Sequence, residues 1–209
     1  MLSFLSFLLF AGVCLSVVSA ELIPASTDPC NLNEDLTIDV RYPVEDPDDV
    51  RCGAERELED VNGRDAPEVG IQMKDELEYL EDFLGMEGRG DDQEAFFFTL
   101  VMVDPDAPTD ESDPMYFLHW LIVDIQGADF TNGHGREIRS YSAPSPPPGS
   151  GPHRYQFFAF KQPNGAFTDT IYGIPEGSRA NFNLKHFLME NNLGAPEVGY
   201  QFLCENEEE

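Results

Sequence analysis

Residues 96–127 read FFFTLVMVDPDAPTDESDPMYFLHWLIVDIQG. The run from 96 to 103 is apolar except for Thr99, and its Phe and Val content predicts a strand buried on both faces. The run stops at residues 104–108, DPDAP, because each proline keeps the residue before it out of the helical conformation. We therefore expect two carboxylates on a stiff loop at the end of a buried strand.

A second apolar run, residues 119–125, begins with a histidine. It predicts a second buried strand close to the first. Two buried strands that end in Asp104, Asp106 and His119 indicate a binding pocket rather than a solvated turn.

A long loop precedes a third strand. Residues 142–152, SAPSPPPGSGP, exclude helix and central strand, and so long a loop in a compact domain often lines a site. The following run, residues 153–160, alternates and then becomes apolar, which predicts a strand with His153 and Tyr155 on the same face.

The N-terminus indicates export. Residues 1–20 carry no charged side chain, are largely apolar and end in Val18-Ser19-Ala20, the small-x-small pattern of a signal peptidase site. We expect a signal peptide over 1–20 and a secreted, extracellular mature chain of 189 residues, the remainder of the 209. No transmembrane segment is expected in that mature chain.

The formal net charge is −28. Such a surface repels nucleic acid and anionic lipid headgroups and favours cations or basic partners. Residues 45–60 hold eight acidic side chains and few apolar ones, which predicts a loop or a disordered face.

Three cysteines remain after signal cleavage: Cys30, Cys52 and Cys204. Export permits a disulfide, but an odd number leaves one thiol over. Cys30 with Cys52 would close a short N-terminal loop, and either of them with Cys204 would join the two ends of the chain. The sequence leaves these pairings open.

Other periodicities complete the organisation. We expect strands at 38–42 and 198–204, a short amphipathic helix at 74–84, and a helix at 182–192 capped by Asn181 or Asn183. The predicted domain organisation has four parts. They are a signal peptide at 1–20, an acidic and partly irregular N-terminal extension at 21–92, a core at 93–204 whose fold recruits part of this extension, and an acidic tail at 205–209.

Two short sequence motifs, which we call boxes, together resemble those of the phosphatidylethanolamine-binding protein family. The first is the Asp-Pro-Asp-x-Pro box at 104–108, the second is the Gly-x-His-Arg-Tyr box at 151–155, and His119-Trp120 lies between them. The resemblance covers about residues 96–202. It implies a mostly β fold, in which a large antiparallel sheet packs on a smaller sheet with one or two peripheral helices.

The resemblance also implies a small anion pocket. The family residues carried over, one by one, are Asp104, Asp106, Tyr116, His119, Pro147, His153 and Tyr155, with Asp106 bracing the loop. Two histidines and two tyrosines offer ring N–H and hydroxyl donors to a buried oxyanion. Asp104 fits an anion site if it accepts from a histidine and favours the protonated ring, so we expect tighter binding at mildly acidic pH.

Three functional hypotheses follow. The first is a secreted, non-enzymatic binding protein for phospholipid headgroups or similar phosphate and carboxylate ligands. The second is an acidic extracellular or mineral-matrix protein that associates weakly with Ca²⁺ or mineral. The third is a protease or kinase inhibitor.

Enzymatic activity, a cofactor and a metal are not expected. Ser150 lies in Gly149-Ser150-Gly151 without the strand–turn–helix context of a nucleophile elbow, and no Walker or H-E-x-x-H motif is present. A zinc site built from Asp104, Asp106, His119 and His153 is the less favoured interpretation.

Overall fold

The computed structural model describes residues 28–43, 51–63, 65–73, 96–108, 115–127, 130, 135–168 and 170–207. Two expectations lie outside these ranges: the signal peptide at 1–20 and the helix at 74–84.

The described residues form a mostly β fold. In chain order the elements are β1 (Leu36–Arg41), β2 (Glu55–Arg56), α1 (Leu58–Val61), β3 (Glu68–Met73), β4 (Phe97–Asp104), β5 (Phe117–Gln126), β6 (Arg136–Arg139), β7 (His153–Gln162), α2 (Leu184–Glu190) and β8 (Val198–Cys204). The larger sheet has the strand order β2-β8-β7-β4-β5-β6, and the smaller one pairs β1 with β3. This confirms the predicted fold class.

The large sheet is not antiparallel throughout, and the prediction is corrected at one edge. β2 runs parallel to β8, with Glu55 opposite Leu203, whereas the other pairings are antiparallel. A long connection rather than a hairpin joins these two strands, so the chain is free to enter the edge in either direction.

β4 lies between β5 and β7, and every residue from Phe98 to Asp104 is buried. This confirms the predicted strand buried on both faces. Its even-numbered side chains enter the core between the two sheets, and its odd-numbered side chains enter the core beneath α2. We call these the inter-sheet core and the helix-side core. Asp104, at an even position, ends β4 on the inter-sheet face.

The predicted loop or disordered face at 45–60 is wrong for its second half, because β2 and α1 form there. Two buried side chains anchor this acidic segment. Arg56 is 8% exposed and lies over the rings of Tyr42 and Phe202, at 5.3 and 5.1 Å from their centroids. Val61, at the end of α1, is fully buried. The acidic residues between them remain at the surface.

Cys30 and Cys52 form a disulfide, and Cys204 is free and buried. Of the pairings that the sequence left open, the structure therefore contains Cys30 with Cys52, which closes the short N-terminal loop. The segments at both ends of this bond lie along β8: the Gly53 N–H donates to the Gln201 carbonyl at 2.7 Å. The disulfide consequently holds the N-terminal segment against the edge of the large sheet.

α2 confirms the predicted helix in a shorter form. Its cap is Asn183, whose side-chain oxygen accepts from the His186 N–H at 2.9 Å. Leu184, Phe187 and Leu188 enter the helix-side core. Within the described ranges, no helix has the length and apolar character required to span a membrane.

Candidate functional site

Asp104 has both carboxylate oxygens occupied at the end of β4. Oδ1 accepts from the backbone N–H groups of Asp106 at 2.7 Å and Ala107 at 3.1 Å. Oδ2 lies 2.7 Å from Nδ1 of His153. Burial raises the pKa of Asp104, and the hydrogen bond from His153 opposes that rise. The local bonds turn the DPDAP loop back onto the strand and aim the carboxylate at β7.

His153, the first residue of β7, has a partner at each ring nitrogen. Nδ1 faces Oδ2 of Asp104, and Nε2 lies 2.9 Å from Oγ of Ser150. The histidine is only 3% exposed, whereas Ser150 is exposed. A chain of polar groups therefore leads from the buried end of β4 to the surface.

The loop at 142–152 contains no helix or strand, as predicted. Pro144 and Pro146 are buried, but Pro147 is exposed. The Pro147 carbonyl accepts from the Ser150 N–H at 3.1 Å and from its hydroxyl at 2.8 Å. Pro147 thus shapes the turn through its backbone, and its ring is exposed. Its place in the anion pocket stays a prediction.

His119 lies at a register shift in the pairing of β5 with β4. Its Nδ1 is 2.7 Å from the Ser142 carbonyl, and because a carbonyl only accepts, Nδ1 carries the hydrogen. Burial lowers the pKa of His119 to about 4. The ring is neutral near pH 7 and Nε2 has a free lone pair. We expected His119 to donate to a ligand, and this is corrected: its ring N–H is used by the loop.

Tyr155 forms the wall beside His119. The two ring centroids lie 5.1 Å apart in an edge-on arrangement, and Tyr155 stacks on Phe202 at 5.2 Å. Burial raises the pKa of Tyr155, so its hydroxyl keeps its proton, and this hydroxyl is hydrogen-bonded to the backbone of Ser145. Tyr155 therefore joins the inter-sheet core to the loop.

Asp106 braces the loop, as its box position predicts. Its carboxylate accepts from Arg154 at the backbone N–H, Nε and a terminal guanidinium nitrogen, at 2.9, 2.8 and 2.7 Å. Burial raises the pKa of Asp106, but the hydrogen bonds from Arg154 outweigh it and the pKa lies below its usual value. Because Arg154 alternates with His153 along β7, this pair lies on the other side of the sheet.

Tyr116 is a predicted site residue that the fold places apart from the others. It is 2% exposed, packs in the helix-side core and forms an isolated β-bridge with Phe182. Asp104, His119, His153 and Tyr155 instead belong to the inter-sheet side. The structure thus brings four predicted residues together there and places Tyr116 on the opposite face.

The sequence interpretation missed two polar residues of this region, Ser142 and Arg179, and considered a third, Ser150, only as an enzymatic nucleophile. Ser150 pairs with His153, the Ser142 carbonyl sets the tautomer of His119, and Arg179 donates to the carbonyls of Leu118 and His119 at 3.2 and 3.1 Å. Ser150 precedes the second box directly, so its position was a usable signal. Arg179 lies 60 residues beyond His119 and has no motif that could have indicated it.

Metal binding gains no support from the described part of the chain, in which no three His, Cys, Asp or Glu side chains are grouped to hold an ion. Asp104 and His153 instead hydrogen-bond to each other, and Nδ1 of His119 is hydrogen-bonded to the Ser142 carbonyl. The arrangement offers one histidine paired with a carboxylate and one neutral histidine with a free lone pair.

The family model of the phosphatidylethanolamine-binding proteins matches residues 84–202, which is more than half of the chain. The chain belongs to the phosphatidylethanolamine-binding protein family. The resemblance that rests on the two boxes is thereby confirmed.

The relatives include plant proteins. The chain is 42% identical over 113 residues to CEN-like protein 4 of Nicotiana tabacum and 41% identical over 113 residues to protein SELF-PRUNING of Solanum lycopersicum. Each match covers 53% of this chain and 60% of the relative. The chain thus spans about three fifths of the length of the curated relatives it matches.

Solved structures agree on the fold. A carboxypeptidase Y inhibitor, crystallised with its cognate proteinase, superposes with a TM-score of 0.60 at 25% identity, over 82% of this chain and 84% of the inhibitor. A phosphatidylethanolamine-binding protein of Plasmodium falciparum gives a TM-score of 0.58 at 20% identity, over 88% of this chain and 92% of that one. The second likeness shows the fold alone.

Proposed function

We propose that this protein is an exported binding protein that holds one small anionic group beside His153, at the ends of β4 and β7. The observation that carries the proposal is the 2.7 Å contact between Nδ1 of His153 and Oδ2 of Asp104. The ligand class is a phosphate or carboxylate, including the phosphate of a phospholipid headgroup. We propose binding rather than catalytic turnover as its primary role.

The carboxylate of Asp104 supports this role through His153. Because Oδ2 accepts from Nδ1, a positive charge on the imidazole is stabilised inside the protein, and that charge attracts an anion at the Nε2 side. Charge-assisted hydrogen bonds to an anion are about twice as strong as neutral ones. One local cation can therefore hold an anion on a chain whose overall charge is −28.

His119 narrows the ligand class. Its lone pair at Nε2 accepts rather than donates, since Nδ1–H is given to Ser142. A ligand that carries an O–H or N–H beside its charge matches this acceptor. A singly protonated phosphate has such a group, and sulfate does not.

Calorimetric titration at pH 6 with inorganic phosphate, O-phosphoethanolamine and sulfate tests the proposal. We expect both phosphates to bind more tightly than sulfate, and His153→Ala to abolish binding. The matched control is His186→Ala, because His186 is an exposed histidine on α2. Equal affinity of the wild type and His153→Ala would refute the site. Binding of phosphoethanolamine but not of phosphate would identify the headgroup as the source.

Export is proposed together with this role. The disulfide between Cys30 and Cys52 supports an oxidising compartment, since such bonds are rare in reducing ones. Expression of the full chain in secretory cells should release protein whose N-terminal residue is Glu21. Retention of the first 20 residues in the cell-associated protein would contradict export.

A second candidate function rests on the likeness to the carboxypeptidase Y inhibitor. We propose proteinase inhibition only as an alternative, tested by adding the purified chain to carboxypeptidase Y and to a serine endopeptidase. Stoichiometric inhibition that survives His153→Ala would favour this alternative. Calcium or mineral association remains a prediction from charge, and direct Ca²⁺ titration measures it.

A further inference from the structure

Three side chains form a polar relay of the order serine, histidine, aspartate. Ser150 Oγ lies 2.9 Å from Nε2 of His153, and Nδ1 of that ring lies 2.7 Å from Oδ2 of Asp104. In this order a carboxylate orients the imidazole, and the imidazole is placed to take the hydroxyl proton. The proposed anion binding depends on the charge of His153 and assigns no role to the hydroxyl oxygen of Ser150.

Ser150 is accessible to a reagent. It is exposed in the loop at 142–152, between Gly149 and Gly151, whose φ values are +70° and +80°. A Cβ placed on either glycine would meet no heavy atom within 4 Å. The positive φ values favour glycine at both positions, and the space beside these two glycines is open.

The hydroxyl hydrogen has two acceptors at nearly equal distances. Ser150 Oγ lies 2.8 Å from the Pro147 carbonyl and 2.9 Å from Nε2 of His153. Rotation about the C–O bond transfers the hydrogen from one to the other without moving a heavy atom. With a neutral imidazole, the hydrogen can point at Nε2, which is the geometry required for proton removal.

We propose that Ser150 is a reactive serine that accepts an acyl group from a small, neutral, activated ester, with His153 as base and Asp104 as the group that positions it. Ser150 Oγ attacks the ester carbonyl, the Oγ–C bond forms, and the bond from that carbon to the leaving oxygen breaks. The hydroxyl proton passes to Nε2 of His153 and then to the leaving oxygen. The products are an O-acylated serine and a free alcohol or phenol.

The charge of the protein sets the class of acyl donor. As a base the imidazole of His153 is neutral, so the site then lacks the cation that the proposed anion binding uses, and the Asp104 carboxylate and a net charge of −28 disfavour an anionic ester. The groups around His153 are Asp104 and Asp106 at the end of β4, His119 on β5 and Cys204 opposite it on β8. The acylation needs the neutral imidazole, so its rate rises with pH, in the opposite sense to the proposed anion affinity.

The test uses the purified full chain and p-nitrophenyl acetate at pH 6, 7 and 8. We expect a burst of one nitrophenolate per chain, faster at pH 8 than at pH 6, and an acetyl group mapped to Ser150 by peptide mass analysis. A general base contributes roughly 100-fold or more to such a step, so His153→Gln should slow acetylation about 100-fold. Ser150→Ala should remove the burst.

The exposed Ser178, whose hydroxyl accepts from the Ala180 N–H at 3.1 Å, provides the matched control, and Ser178→Ala should acetylate at the wild-type rate. Acetyl groups found on lysines but not on Ser150 of the wild-type chain overturn the proposal, and this readout requires no variant. So does acetylation of Ser150 at an unchanged rate in His153→Gln. Phosphate binding without acetylation overturns the reactive serine alone, and acetylation without phosphate binding overturns the anion site alone.

Discussion

Nδ1 of His119 donates to the carbonyl of Ser142 at 2.7 Å, and the Ser142 N–H donates back to the carbonyl of His119 at 2.9 Å. This reciprocal pair attaches the loop at 142–152 to β5. It also fixes the hydrogen of His119 on Nδ1, and so it leaves Nε2 as the ring nitrogen that can accept.

The neutral state of His119 makes the fold sensitive to acid. Its pKa is about 4 in the folded protein, against a value of 6.5 for an unperturbed histidine. The unfolded chain therefore binds this proton first, and the free energy of unfolding falls as the pH drops from 6.5 towards 4. The full effect is of order 3 kcal/mol.

The variant His119→Asn keeps a side-chain N–H near the position of Nδ1. We expect its free energy of unfolding to fall less between pH 6.5 and pH 4 than that of the wild type. Urea unfolding at pH 7, 6, 5 and 4 measures the difference. His186→Asn serves as the control, because that histidine is exposed on α2. Parallel curves for the wild type and His119→Asn would contradict the assignment.

Asp104→Asn tests the buried pair with His153. Removing one partner of such a pair leaves the other without compensation, so we expect the free energy of unfolding to fall by about 3 kcal/mol. The affinity for inorganic phosphate should fall at least tenfold, since the imidazolium loses its carboxylate. Urea unfolding and calorimetric titration give the two quantities. A stable variant with unchanged phosphate affinity would mean that Asp104 has no part in the site.

Asp106→Asn is the matched comparison, because Asp106 pairs with Arg154 rather than with a histidine. The two side chains are 29% and 31% exposed, so solvent screens the pair and we expect a loss of about 1 kcal/mol. Phosphate affinity should remain within twofold of the wild type. A tenfold loss of affinity in this variant would return Asp106 to the set of ligand contacts.

The proposed anion site predicts a pH dependence for sulfate, whose charge is constant between pH 5 and 8. Affinity should be higher at pH 5.5 than at pH 8, because a lower pH favours positive charge at the site and a cation binds an anion more tightly. Sulfate separates this effect from the titration of phosphate itself. Constant sulfate affinity from pH 5 to 8 is the result that would remove the cationic histidine from the mechanism.

The disulfide between Cys30 and Cys52 should stabilise the fold through the unfolded state. The cysteines are 22 residues apart, and closing a loop of this length is worth about 3 kcal/mol in the chain-entropy model. We expect the double variant Cys30→Ser, Cys52→Ser to unfold at lower urea concentration by this amount. Cys204→Ser is the control for loss of a thiol, and a double variant as stable as the wild type would show that β8 needs no such attachment.

Local patterns were sufficient where one segment dictates its own conformation. The apolar run of β4, the asparagine cap of α2 and the proline-rich loop all have the predicted form, because propensity, capping and proline geometry act over a few residues. The strand β2 and the helix α1 were not predictable in the same way. Their acidic segment folds because Arg56 and Val61 meet partners far along the chain.

The candidate site divides along the same line. The sequence by itself indicated that Asp104, His119 and His153 lie at or near the ends of buried strands, since burial and the two boxes are local in the chain. Only the tertiary structure decided that Tyr116 faces the helix-side core, that His119 gives its N–H to Ser142, and that Ser150 completes a relay with His153. Each of these depends on strand register and on contacts between distant segments, which alternation along one strand does not specify.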